Sequence, residues 1–288
     1  MSSIQLQKDR QAKLTLGKVV LWSSILAVLV FFLAPIIWQV LTSIKVNEDI
    51  SAIPNVYLPD KITFKHYQAL FVRRPFLLYI FNSALVSIVS TILCLVIGSP
   101  AAYALARTKL PGRNIILSGV LIVSLFPYVL LFLGLLEIVK AVGLGNSYLA
   151  LIIPYTAINL PLTILVMRSF FEQLPKDLED AAKIDGYKTL GMLVKIVLPM
   201  TLPALATTGI LTFIFAWNEY IFALTFITQE AKKTIPVATA QLGGATLFEI
   251  PYGPIAAATV LGTLPLVILV LVFQRQIVQG LTAGAVKG

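Results

Sequence analysis

Glu219 is the one acid well inside a long apolar run, and it stands beside Trp217 and Asn218. A carboxylate at bilayer depth has to face a polar cavity or a partner. Two kinds of chemistry fit this trio. Trp217 could stack on the apolar face of a sugar while Asn218 and Glu219 bond its hydroxyls. Alternatively, Asn218 and Glu219 fasten their helix to a neighbour. A second polar feature is DAAKIDGYKTLGMLVKIVLP, residues Asp180 to Pro199, a charged stretch between two apolar ones. The other reactive types are sparse. Cys94 is the single cysteine, so no disulfide forms within the chain, and it reads as a small buried apolar residue. His66, the only histidine, is expected at the surface of a long polar segment, and Glu137 at a membrane interface. With no G-x-x-x-x-G-K-[ST] loop and no Cys/His cluster, neither nucleotide hydrolysis nor metal binding is expected of this chain.

These residues are carried by an unusually apolar sequence. Of 288 residues, 58% are hydrophobic and 12% charged, too little polar material to coat a water-soluble globule. Six stretches reach the roughly 20 apolar residues that a crossing needs: Val19–Leu41, Phe76–Leu105, Ile115–Val139, Tyr148–Phe171, Pro199–Ile227 and Pro254–Val278. The expected fold class is therefore all-α, a polytopic membrane protein with six transmembrane helices forming one domain over 1–288. The first run is too long for a signal peptide and lacks a small-x-small cleavage site, so it is expected to remain as a span. The net charge of +9 does not point to nucleic acid, because the basic residues flank apolar runs. Lys8, Arg10, Lys13 and Lys18 precede the first span, and Arg107, Lys109 and Arg113 crowd the second link, against Lys140 alone in the third. The positive-inside rule then places both termini, the second link and the fourth link in the cytoplasm. Pro35, Pro100, Pro127, Pro154, Pro161, Pro203 and Pro265 lie within spans, where kinks are expected.

The fourth link, 172–199, is patterned as two short helices. Pro175 suits a first turn, and Asp177, Glu179 and Asp180 favour a helix N-terminus. Leu178, Ala181 and Ala182 form a small apolar face, and Gly186 suits a left-handed C-terminal cap. Thr189 is expected to cap a second helix in which Leu190, Leu193, Val194 and Val197 line one side until Pro199 interrupts. An alanine face between acids fits a groove on another protein; resting on the bilayer surface is the alternative.

Asp180-Ala181-Ala182, three residues, Gly186, nine residues, then Ile196-Val197-Leu198-Pro199 resembles the EAA loop of permease subunits in bacterial binding-protein-dependent ABC importers. Asp180 departs from the glutamate usual there. Phe215–Tyr220 and the tail Gln279–Gly288 resemble the carbohydrate branch, in particular the maltose-type second permease subunit. The resemblance implies an ABC importer type I permease fold, with Asp180, Ala181, Ala182, Gly186, Ile196, Leu198 and Pro199 coupling to an ATPase. It further implies a sister permease, two ATP-binding subunits that hold ATP and Mg, and an extracytoplasmic solute-binding protein. The last loop, with Gly243-Gly244-Ala245, would reach the binding protein, and Gly280, Gly284 and Gly288 would let the tail enter the ATPase interface. The implied cargo is a sugar, oligosaccharide or related glycoside. In that family substrate contacts lie chiefly on the sister subunit, which weighs against Trp217, Asn218 and Glu219 as a substrate path. The competing expectation is an ion-gradient-driven carrier that uses Glu219.

Overall fold

The computed structural model describes the backbone of residues 3–243 and 250–285, and the side chains of 17–243 and 250–277. Gly244, Ala245 and Gly288 lie outside the described residues, and of Gly280 and Gly284 only the helical backbone is described. Apart from single turns at Asn47–Ile50 and Glu230–Lys232, the helices among the described residues are α1 Ser3–Ile44, α2 Lys65–Arg73, α3 Phe76–Arg107, α4 Arg113–Leu125, α5 Tyr128–Ala141, α6 Leu149–Gln173, α7 Asp177–Ile184, α8 Thr189–Met200, α9 Leu202–Asn218, α10 Ile221–Phe226, α11 Ile235–Ala240 and α12 Tyr252–Ala285. No strand forms among the described residues; Lys45 and Ile62 make an isolated bridge. The all-α class expected from composition holds.

Among the described residues four helices are long and apolar enough to cross a membrane: α1 from Gly17, α3, α6 and α12 to Ile277. The third and fifth expected spans are not continuous. α4 and α5 meet at 88°, and α8 and α9 at 83°, so six crossings are reached when each bent pair counts as one. The first bend has a local cause. Phe126 precedes Pro127, and the proline ring pushes its neighbour out of the helical region, to φ −72° and ψ 132°. In the second pair the helix runs through Pro199 and bends only at Thr201, contrary to the expected interruption at Pro199. The Thr201 hydroxyl and its backbone amide both lie 3.1 Å from the carbonyls of Val197 and Leu198, so the last turn before the bend is closed twice over. A further break at Glu219 and Tyr220 ends the fifth span early and starts α10.

The chain divides into two compact units, Met1–Leu70 with Gly243–Val260, and Phe71–Leu242 with Leu261–Gly288. In the first unit, His66 is buried rather than at the surface. Its Nε2 lies 2.8 Å from the Lys45 carbonyl, and a carbonyl only accepts, so Nε2 donates. Sequence spacing could not show that the long polar segment folds back onto the end of α1.

The second unit is built on α3 against α6. The buried face of α3 runs Ser83, Ser87, Ser90, Cys94, Gly98 and Ala102, small residues at helical spacing that let two backbones approach. Cys94 is fully buried as expected, its thiol 3.1 Å from the Thr156 carbonyl. A Cβ at Gly98 would sit 2.6 Å from Thr163 Cγ2. Asn82 ties the same helix to the loop before α11, donating to the Ala231 and Lys233 carbonyls at 2.9 Å each. In that loop Glu230 accepts from Lys233 and from the Tyr79 hydroxyl, and pairs with Arg74 at 3.4 Å.

Two outcomes follow from this packing. Gly98→Ala should lower the unfolding midpoint of the solubilised protein, at a cost of about 1–3 kcal/mol, and Thr163→Ala in the same chain should restore most of it. Glu230 has its carboxyl held below the ordinary range, first by the hydrogen bond from Lys233 and then by that from Tyr79. Its contribution is therefore present above the ordinary glutamate range and lost as pH falls through the lowered value. Glu230→Gln should flatten that acid limb in a stability-versus-pH series; half exposed, the residue is worth under about 1 kcal/mol at neutral pH.

Candidate functional site

α7 starts after Lys176, with Asp177, Glu179 and Asp180 in its first turn. Pro175 lies before the cap rather than in that turn. The helix ends as expected at Gly186, whose φ of +83° a side chain adopts only with strain. The Tyr187 amide donates to the Ala182 carbonyl and the Gly186 amide to that of Lys183, both at 3.0 Å. This is the paired closure of a Schellman cap, and it turns the chain sharply into α8. Lys188, extended at φ −74° and ψ 157°, occupies the N-cap, one residue before the Thr189 expected there.

α8 contains a π-helical stretch, Leu193–Val197, so its faces do not follow the expected stripe. Met192, Leu193 and Val197 are buried, whereas Leu190 and Val194 are exposed. The buried set packs with Ala182 against Tyr103 and Ala102 of α3 and Met167 and Phe171 of α6. Ile196 and Leu198 are half-buried beside that cluster, and Pro199 is exposed. Asp180, Ala181 and Gly186 remain on the outside. With them are Ile184, 87% exposed, and Leu190, 69% exposed, together with Tyr187. Asp180 pairs with Lys183 at 2.9 Å, which holds its carboxyl below and the lysine above their ordinary values.

The residue that sequence reasoning missed is Glu179, immediately before the motif. It reads as one more acid at a helix N-terminus, yet its side chain turns inward. Arg107 Nε, at the end of α3, lies 2.8 Å from Glu179 Oε1, and the Tyr103 hydroxyl is 3.1 Å from Oε2. The Nε–H is not aimed at Oε1, so that contact is Coulombic rather than a hydrogen bond. Arg107 also donates to the Leu174 carbonyl. Alongside, Glu172 gathers Arg113 at 2.7 Å and Arg168 at 2.6 Å. The second and fourth links therefore lie on one side and are joined by charge. Two of the basic residues that mark sidedness in the sequence, Arg107 and Arg113, are also structural partners.

Trp217, Asn218 and Glu219 are adjacent in the chain but go different ways. Trp217 is buried, and its Nε1 donates to the Gly262 carbonyl of α12 at 3.0 Å. Glu219 is buried and fully engaged. It accepts from the Tyr155 hydroxyl at 2.5 Å and from the Phe222 and Ala223 amides at 2.9 and 3.1 Å. It thus closes the N-terminus of α10 and ties it to α6. Asn218 is exposed and donates to the Ile214 carbonyl of its own helix. A cavity of about 470 Å³ opens nearby, where the α4–α5 bend meets α6 and α9; Phe126, Tyr128, Pro154, Asn159 and Phe215 are among its walls. Glu137 is exposed and faces Lys140 at 3.7 Å.

Glu179→Ala leaves the Arg107 guanidinium without its carboxylate in a site where both side chains are about nine-tenths buried. Removing one partner of such a pair costs about 3–5 kcal/mol. The expected readout is faster amide hydrogen exchange across α7 and the start of α8, with α6 unchanged.

The chain is 43% identical to the sulfoquinovosyl glycerol transport system permease protein SmoH of Agrobacterium fabrum, over 89% of each chain. It is 38% identical to the trehalose transport system permease protein SugB of Mycobacterium tuberculosis, over 90% of this chain and 93% of that one. The trehalose/maltose transport system permease protein MalG of Thermococcus litoralis is 41% identical, over 89% and 92%. The fold is similar to a chain in the crystal structure of a bacterial ABC transporter involved in the import of the acidic polysaccharide alginate. That match has a TM-score of 0.72 and 24% identity, and covers 96% of this chain and 98% of the other. Residues 94–283, from the middle of α3 almost to the end of α12, match the family of binding-protein-dependent transport system inner membrane components, and the chain belongs to that family.

Proposed function

We propose that this chain is one of two permease subunits of an ATP-driven importer for a sugar, oligosaccharide or related glycoside. A solute-binding protein delivers the cargo from the extracytoplasmic side. The observation that carries this reading is the α7–α8 elbow. It is too short to cross a membrane, is bolted to α3 and α6 by Glu179, Arg107 and an apolar cluster, and presents an exposed knob. Asp180, Ala181, Gly186, Ile184, Tyr187 and Leu190 form the part that seats in an ATP-binding subunit. Ala182, Ile196 and Leu198 hold that part in position, and Pro199 leads into the fifth span. ATP and Mg stay on the partner subunits. Both termini lie in the cytoplasm with the elbow.

The cargo class is supported by the relatives, whose names describe transport of sulfoquinovosyl glycerol, trehalose and trehalose or maltose. The bent spans give a place for a path. The cavity at the α4–α5 bend combines aromatic faces from Phe126, Tyr128 and Phe215 with the Asn159 amide, the mixture that suits a sugar ring. Asn218 is the exposed member of the 217–219 trio. The ion-carrier reading is not favoured, because Glu219 is enclosed by a hydroxyl and two backbone amides in a capping role.

The test is at Gly186. A Cβ there meets no atom within 4 Å, so a large side chain clashes with nothing inside this chain and projects from the knob, while the φ of +83° strains any residue but glycine or asparagine. Gly186→Trp should abolish uptake and uncouple ATP hydrolysis while membrane insertion persists. Gly186→Asn, which tolerates the left-handed conformation, should retain most activity. Uptake at the wild-type rate in the Trp variant would overturn the docking role.

A further inference from the structure

The first compact unit contains a cleft of about 700 Å³ whose lining changes character along α1 and just beyond it. Ala34 and Pro35 lie at one end, Trp38 follows, and Thr42, Lys45 and Asp49 lie at the other. Lys45 is 2% exposed. Its ammonium donates to the Val56 carbonyl at 2.5 Å and sits 4.3 Å from the centroid of the Trp38 ring. Among the described residues no carboxylate lies within ion-pair distance of it. Thr42 is 8% exposed, and its hydroxyl has no partner there. A buried cation without a counter-ion and a buried hydroxyl without a partner are both unfavourable when empty.

We propose that this cleft holds a membrane phospholipid, with its phosphate on Lys45 and Thr42 and its first methylenes along Pro35 and Ala34. A phosphate supplies the acceptor that the Thr42 hydroxyl lacks and the counter-charge that Lys45 lacks. The run from Ala34 to Lys45 spans about 16 Å at helical rise, the distance from a headgroup phosphate through the glycerol into the chains. Trp38 lies at the crossover, where indoles favour the membrane interface. Asp49 at the polar end disfavours a bare phosphate ion and favours a headgroup carrying its own donors, such as the ammonium of phosphatidylethanolamine.

The test uses the full-length chain in its native complex, stripped of lipid in a non-sugar detergent and titrated with dioctanoyl phosphatidylethanolamine under native mass spectrometry. One lipid should bind. Thr42→Val, which removes a hydroxyl that no protein group uses, should weaken binding about tenfold with an unchanged unfolding midpoint. Lys45→Met should weaken it further; because Lys45 also holds Val56, the Thr42 variant decides the matter if Lys45→Met fails to fold. Equal binding to wild type and Thr42→Val overturns the proposal. So does displacement of the lipid by inorganic phosphate, which would make this a free-anion site, or by maltose, which would make it a sugar site.

Discussion

In hydrocarbon no water replaces a lost backbone hydrogen bond, so every interruption of a spanning helix must bring its own donors and acceptors. Two of the breaks in this protein have polar side chains at them. Where the fifth span ends, the Glu219 carboxylate reaches the amides of Phe222 and Ala223, and Tyr155 reaches the carboxylate. At the α8–α9 bend the Thr201 hydroxyl lies against the carbonyls of Val197 and Leu198. Glu219 is thus explained without a catalytic or ion-binding role: an acid at depth persists because it caps.

The same constraint shapes the elbow. Its corner is closed by the amides of Gly186 and Tyr187, so the turn needs no help from a partner to be formed. Two attachments of different character then fix it. The apolar one, through Ala182, Met192, Leu193 and Val197, is broad and non-directional. The charged one, Glu179 with Arg107 and Tyr103, is local and specifies orientation. A joint with both is stiff, and under the proposed docking that stiffness would carry a push on Ile184 or Leu190 to α3 and α6. Ile184 and Leu190 stay exposed on that stiff frame, as the proposed docking requires.

Much of this was legible in advance. The apolar runs placed α1, α3, α6 and α12, and Gly186 marked its cap correctly, because length, hydropathy and left-handed conformation are local properties. The small-residue line from Ser83 to Ala102 was also present and could have paired α3 with a close neighbour. The bends were harder. Pro127 and Pro203 stand near them, but Pro100, Pro154 and Pro161 lie inside unbroken helices. Proline alone does not separate the cases, since neighbouring helices decide whether the freed backbone groups are satisfied in place.

By itself the sequence determined that the chain crosses a membrane several times and carries a folded elbow after the fourth crossing. Both follow from composition and near-neighbour spacing. Which acid faces inward was decided only by tertiary structure. Glu179 and Asp180 are neighbours of like charge, and one is buried on Arg107 while the other meets only Lys183 in the open. The burial of His66 and the separate fates of Trp217, Asn218 and Glu219 were decided in the same way. The reason is physical: a side chain's chemical role depends on the groups brought to it from distant parts of the chain, and spacing along the chain carries no record of them.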